Sequence, residues 1–340
     1  MDRLWKAFRY VFPFLAAFAL AAPPASAAET RGEVEIKEWT VPYEASRPRD
    51  PYAVSGSEVW FVGQRSDYFA KLNPEEETFE KIDLPEGTGP HNLIVGKDGI
   101  VWIAGNLDAY IGRYDPEAGE LEKIAMPDEA ALDPHTLTFD EGEENIWFTV
   151  QGGNFVGRLS VADRKVDLIS VPTEGARPYG IKVGPEGTVY VTLFGTNKIA
   201  TVDPETLQLT EHVLPAEEAR PRRLEVTAEG EVFYTDYARG YLGHLDVESG
   251  EVSEWALPSG EGSKPYGSAL DAKGRLWLVE TGVQPNLFVG FDPETENFFS
   301  ITSVPSGGGT VRHMHFHEET GAVWFGTDAN TIGRADVMEK

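Results

Sequence analysis

One short element recurs seven times along this chain at a nearly constant spacing, which restricts the fold to copies of one unit packed side by side. The element is a proline followed by a large polar or aromatic residue and then by apolar positions. It occurs at Pro51-Tyr52, Pro90-His91, Pro134-His135, Pro178-Tyr179, Pro221-Arg222 and Pro265-Tyr266, with Arg312-His313 in the seventh place, at intervals of 39, 44, 44, 43, 44 and 47 residues. Each copy is followed after 9 to 13 residues by an aromatic residue in a strand-forming run: Trp60, Trp102, Trp147, Tyr190, Phe233, Trp277 and Trp324. A third run follows, as in Ile111-Gly112-Arg113, Val156-Gly157-Arg158 and Ile332-Gly333-Arg334, and a fourth ends on proline, as in Lys81-Ile82-Asp83-Leu84-Pro85.

Four short strands per repeat of about 40–45 residues, punctuated by aromatic residues and glycine, predict an all-β, seven-bladed β-propeller with four-stranded blades. Asp115-Pro116-Glu117, Asp203-Pro204-Glu205 and Asp292-Pro293-Glu294 resemble acidic metal loops. They recur at one register after the third strand, where a turn with proline at its second position is required, so they are turns. The last repeat stops after three strands, whereas Glu33 to Pro42 matches a fourth strand. The N-terminal strand is therefore expected to complete the last blade and close the ring.

Arg3, Lys6 and Arg9, the apolar run Val11–Ala22 and the small residues Ala25-Ser26-Ala27 read as a secretory signal over residues 1–27. Residues 28–340 are then one propeller domain, exported to the periplasm or the extracellular space. No later segment is apolar enough to span a membrane, so no membrane contact is expected after cleavage. The net charge of −27 excludes nucleic acid as a partner. With no cysteine, thiol chemistry and disulfides are excluded as well. A closed ring leaves no strand edge in need of a partner, and a monomer is expected.

In a propeller the start of the first strand and the end of the second are neighbours beside the channel mouth. The residues after the repeat proline read Tyr52, His91, His135, Tyr179, Arg222, Tyr266 and His313, all able to hydrogen-bond. Such a ring is a candidate site for a small-molecule or peptide ligand. His313 and Asp328, at facing ends of strands in the last blade, would form a general base held by a carboxylate. Asp236, beside Arg222 and Arg223, and Glu280 would anchor a ligand. His313-x-His315-x-His317 offers at most two zinc ligands on one strand face, since the third lies about 13 Å from the first.

Arg177-Pro178-Tyr179-Gly180-Ile181, Asn197-Lys198-Ile199, Asn145-Ile146-Trp147-Phe148-Thr149 and Ile332-Gly333-Arg334 resemble the virginiamycin B lyase (streptogramin B lyase) family over all seven repeats. The resemblance implies a metal-assisted lyase opening a cyclic ester by elimination, with magnesium and a histidine general base. It places the base, which follows the proline of the last blade, on His313 and a magnesium carboxylate on Asp328. The second carboxylate falls on Val311, the intervening proline on Arg312 and a substrate-contacting histidine on Tyr266. The alternative is a non-catalytic exported propeller binding its ligand at the same mouth. A six-bladed calcium lactonase is disfavoured by the count of seven.

Overall fold

The computed structural model describes residues 27–338; the expected signal segment, Ala27 excepted, lies outside them. Twenty-eight strands, β1–β28 in chain order, form seven four-stranded antiparallel sheets. The innermost strands are β2 (Pro48–Ser55), β6 (Pro90–Val95), β10 (Pro134–Phe139), β14 (Pro178–Val183), β18 (Pro221–Val226), β22 (Pro265–Leu270) and β26 (Val311–His317). They touch in cyclic order, with β26 returning to β2, so the sheets are blades around one central channel. Among the described residues the only helical segments are two three-residue 3-10 turns, and no helix could cross a membrane.

The repeat chemistry explains each blade. The second-strand aromatics are packed between blades, each at most 6% exposed. The glycine of the third strand makes room for an aromatic ring of its neighbour: a Cβ on Gly157 would stand 2.1 Å from the Phe148 ring, and one on Gly333 2.4 Å from that of Phe325. The Asp-Pro-Glu segments are turns, with Asp203 accepting from the backbone N–H of Glu205 at 2.9 Å and of Thr206 at 2.8 Å.

Closure follows the sequence reading. Strand β1 (Glu35–Thr40) pairs antiparallel with β28 (Thr331–Asp336), from Glu35 opposite Asp336 to Thr40 opposite Thr331. Trp39, 5% exposed, stacks on Trp324 with ring centroids 5.6 Å apart, which seals the seam with apolar area.

The strand pairing corrects the repeat register at both ends of the chain. Pro48 lies opposite Gly63 as Pro90 lies opposite Gly105, so Pro48 and not Pro51 opens the first repeat. In the last blade Val311 lies opposite Thr327 at the proline level, one residue before Arg312. Two prolines three residues apart, and none in the last repeat, left these frames ambiguous in the sequence.

Trp39→Ala is expected to destabilise the protein by about 3–5 kcal/mol, the usual cost of deleting a buried tryptophan. Urea unfolding should show a lower midpoint at unchanged slope.

Candidate functional site at the channel mouth

Each innermost strand begins with an irregularity, the pairing shifting between the proline level and the residue three further on, as at Pro90/Leu93 and Pro221/Leu224, or one residue later in the first blade, at Arg49/Tyr52. A regular strand turns successive side chains to opposite faces. A bulge re-aims them, and here, in five of the seven blades, the residues one and two beyond the proline level both join the channel network. In blades three to five a threonine of the second strand braces the bulge. Thr192 Oγ1 accepts from Gly180 N–H at 2.8 Å and donates to the Arg222 carbonyl of the next blade at 2.9 Å. Thr149 Oγ1 donates to the Tyr179 carbonyl at 3.0 Å.

The upper tier, one residue beyond the proline level, consists of Arg49, His91, His135, Tyr179, Arg222, Tyr266 and Arg312. His91 and His135 lie with ring centroids 3.6 Å apart, and His135 lies 4.3 Å from Tyr179. The Tyr179 and Tyr266 hydroxyls hydrogen-bond across the channel. The Arg222 guanidinium sits 3.5 Å from the Tyr266 centroid, 4.3 Å from that of Tyr237 and 4.7 Å from that of Phe194. Arg49, His91, His135, Tyr179 and Tyr266 are each at most 6% exposed, so this tier forms a floor across the channel, on which Arg222 and Arg312 stay half-buried.

Beneath it lie Asp50, Asn92, Thr136, Arg223 and His313. Asp50 accepts from Arg49 Nε at 2.9 Å and from Asn92 Nδ2 at 3.0 Å. Arg223 donates from Nη1 to Thr136 Oγ1 at 3.1 Å and from Nε to the Arg312 carbonyl at 3.3 Å. Arg49 Nη2, Arg223 Nη2, Arg222 Nε and His91 Nδ1 are buried without a hydrogen-bond partner.

The electrostatics are cationic. Arg49 pairs with Asp50, and Asp328 takes Arg312 and, at 3.5 Å, Arg47, while Arg222 and Arg223 form no salt bridge among the described residues. Burial, aided by Arg49 and Arg223, holds His91 and His135 well below the ordinary imidazole value, so both are neutral at pH 7. His313 is likewise depressed by burial and Arg223, with Asp50 opposing. Burial alone would raise the paired phenols, but Arg222, Arg223 and Arg49 offset it for the first proton to leave. Tyr179 is held down to about 8 and Tyr266 pushed up to about 12, as expected for two phenols sharing one hydrogen bond.

A family model for the virginiamycin B lyase family matches residues 28–194 and 164–340, together the whole described propeller. The chain belongs to the virginiamycin B lyase family. Among solved structures it is similar to a streptogramin B lyase at 20% identity and TM-score 0.79, over 91% of this chain and 99% of that one. It is also similar to a catalytically inactive histidine-to-alanine variant of the Staphylococcus aureus virginiamycin B lyase with quinupristin, at 21% identity and TM-score 0.80, over 90% and 100%. Hydrazine synthase from Kuenenia stuttgartiensis matches at 13% identity and TM-score 0.69, over 86% of this chain and 96% of that one. These identities carry the fold alone. No curated protein matches the sequence.

Family membership makes the register of the last blade decisive. The place directly after the proline level belongs to Arg312, not His313, and the position two residues before it to Thr310. Asp328 does stand at the mouth, but Arg312 grips it with two N–H donors, Nη2 reaching Oδ2 at 2.6 Å and Nη1 holding Oδ1. Arg312 and Arg47 keep that carboxyl below the usual range although burial opposes them. A lone carboxylate already neutralised by guanidinium does not suit magnesium, which binds through carboxylates and water. Among the described residues no group of three His, Asp or Glu is placed to hold a metal ion.

The remaining residues singled out in the sequence divide. His91, His135, Tyr179, Arg222 and Tyr266 come together. Tyr52 does not: it lies deeper and stacks on His315 at 4.2 Å, and with His313, Lys182 and Glu225 it lines a cavity of 340 Å³ further along the channel. His315 Nε2 is near the Ala53 carbonyl at 3.3 Å and His317 Nδ1 meets Thr320 Oγ1 at 3.0 Å, so the three histidines do not converge. Asp236 is fully buried and caps the backbone N–H groups of Arg220 and Ala238, with Arg239 as its ion partner at 3.2 Å, instead of joining Arg222. Glu280 is fully buried and faces Ser259, away from the mouth. Arg47, Arg49 and Asp50 had gone unremarked, although Arg47-Pro48 repeats the Arg-Pro pair of Arg177-Pro178 and Arg220-Pro221.

Alkaline titration followed by absorbance at 295 nm is expected to show one phenol ionising near pH 8. Tyr179→Phe should abolish that step, whereas Tyr266→Phe, which leaves the three arginines in place and removes only the hydrogen bond, should move it to higher pH.

Proposed function

We propose that this family member is an exported binding propeller whose channel mouth captures a small anionic ligand with a planar apolar body, and that it does not carry out metal-assisted elimination. The observation that carries the reading is the replacement of a base and metal site by a surplus of guanidinium groups. A base must shed its proton near neutral pH, whereas arginine at the position of Arg312 stays charged. His313 is neutral but sits one tier lower, beside Asp50 and Arg223, where the upper-tier floor separates it from the mouth.

Arg222 supports the choice of ligand. Its face is taken by the rings of Tyr266, Tyr237 and Phe194, which leaves the N–H edges of the guanidinium for a carboxylate. Phe194 and Tyr237, half-buried at the rim, offer flat apolar surface to the remainder of the ligand. The strongly negative surface elsewhere keeps other anions at a distance and confines their binding to this one cationic patch.

The test is calorimetric titration of residues 28–340 with benzoate, phenylacetate, acetate and uncharged methyl benzoate. Benzoate or phenylacetate should bind, more weakly as salt rises, and methyl benzoate should not. Arg222→Gln and Arg222→Lys should each weaken binding about 10- to 100-fold, the scale of a lost charge-assisted hydrogen-bonded pair. Mg²⁺ and a chelator should leave the melting temperature unmoved. A Mg²⁺-dependent rise that disappears in Asp328→Ala would overturn the proposal and restore the metal site.

A further inference from the structure

Among the described residues Glu280 is a carboxylate that forms no salt bridge. It ends the second strand of blade six, is 0% exposed, and among the described residues is held only by Ser259, whose backbone N–H donates at 3.0 Å and whose hydroxyl donates to the other oxygen. Burial pushes its carboxyl above the ordinary range although both Ser259 donors oppose this. An isolated buried carboxylate is costly unless a cation joins it or it takes up a proton.

The N-terminal segment leads to this point. Ahead of β1, Arg31 bridges to Ile301 on the outer strand of blade six, with backbone hydrogen bonds of 3.0 and 2.7 Å, and Val34 N–H donates to Thr302 Oγ1 at 3.0 Å. Arg31 Nη2 adds a bond of 2.9 Å to the Phe298 carbonyl. The segment therefore runs as an extra edge along that blade, and Ala27 and Ala28 pack against the cluster of Leu257, Val283 and Leu287. At its end the Ala28 nitrogen donates to Ser259 Oγ at 3.1 Å. One hydroxyl thus separates the Ala28 nitrogen from the Glu280 carboxylate.

That nitrogen is also the atom that processing would alter. Ala25-Ser26-Ala27 is the small-residue site of the export signal, and cleavage behind it makes Ala28 the first residue. Hydrolysis of the Ala27–Ala28 amide by a signal peptidase adds water across the bond, with hydroxyl to the Ala27 carbonyl and hydrogen to the Ala28 nitrogen. The new amine, with an ordinary α-amino value of about 8, takes a further proton at neutral pH. A neutral amide donor then becomes an ammonium in the same place.

We infer that export processing completes the fold: the α-ammonium of Ala28 docks at Ser259 and neutralises Glu280, so that the mature chain carries a buried ion pair which the precursor lacks. The inference rests on the exported reading above but not on any ligand. It gives Glu280 and Ser259 a partner within the chain and explains why a carboxylate is retained in the packed wall between blades five and six.

The experiment separates the two readings. The chain is made as a fusion whose protease leaves Ala28 as the first residue, and its melting temperature is compared with that of the same protein after N-terminal acetylation and with one extended by Gly-Ser. The free amine should melt higher than either by about 2 °C or more, the scale of a modest interaction in a chain of this size. Glu280→Gln, which keeps the shape and removes the charge, should abolish the difference, and Ser259→Ala should reduce it. Equal melting of the free and blocked forms, or a difference that persists in Glu280→Gln, overturns the inference. The mass of the protein exported from cells reports independently on cleavage. A first residue other than Ala28 would sink the maturation role even if the ammonium docks in the engineered form.

Discussion

The channel exists because the chain's two ends share a blade. Seven sheets arranged in a circle would splay if one seam stayed open, since the last blade would then lack its outer strand. Strand β1 closes the seam through its full length of backbone pairing to β28, and the Trp39–Trp324 stack adds apolar burial at the joint. In a chain without cysteine nothing covalent holds this seam. Hydrogen bonding and packing across it keep the ring round, and every distance at the mouth depends on that. In blades three and four the second-strand threonines reinforce the geometry by bonding the bulge to the inner strand that follows.

The mouth shows how one backbone irregularity sets chemistry. Because each inner strand opens with a bulge, two consecutive positions per blade reach the channel, and in five of the seven blades both carry a polar side chain. Crowding excludes water, so the histidines lose their charged forms while the arginines, with intrinsic values too high to deprotonate, keep theirs. The result is a cationic, proton-poor mouth in a protein of strongly negative total charge. The fold is that of the virginiamycin B lyases, but the local charge at this mouth depends on a handful of residues that the fold does not dictate.

Three carboxylates look alike in the sequence, and their surroundings separate them. Asp328 is neutralised from outside by Arg312 and Arg47. Asp50, beneath the floor, is neutralised by Arg49 in the floor above it and hydrogen-bonded by Asn92. Glu280 has only a serine between itself and the Ala28 nitrogen. The same side-chain chemistry thus serves as a counter-ion at a mouth, a brace beneath it, and a buried charge awaiting a partner.

By itself the sequence determined the blade count, the four strands per blade, the closing strand and five of the seven upper-tier residues. These follow from period and alternation, because burying one face of each strand fixes which positions are apolar and how far apart the repeats fall. It did not determine the frame of the first and last repeats. Pro48 and Pro51 compete for one role, and Val311 carries no proline at all, so a slip of one to three residues was invisible until strands were paired. That slip exchanged His313 for Arg312 and Tyr52 for Arg49 at the mouth. Nor could it show that Asp328 meets a guanidinium, that Asp236 caps backbone, or that Glu280 turns from the channel toward Ser259. Those outcomes depend on contacts between residues tens to hundreds of positions apart, which the closure of the ring brings together and local spacing cannot encode.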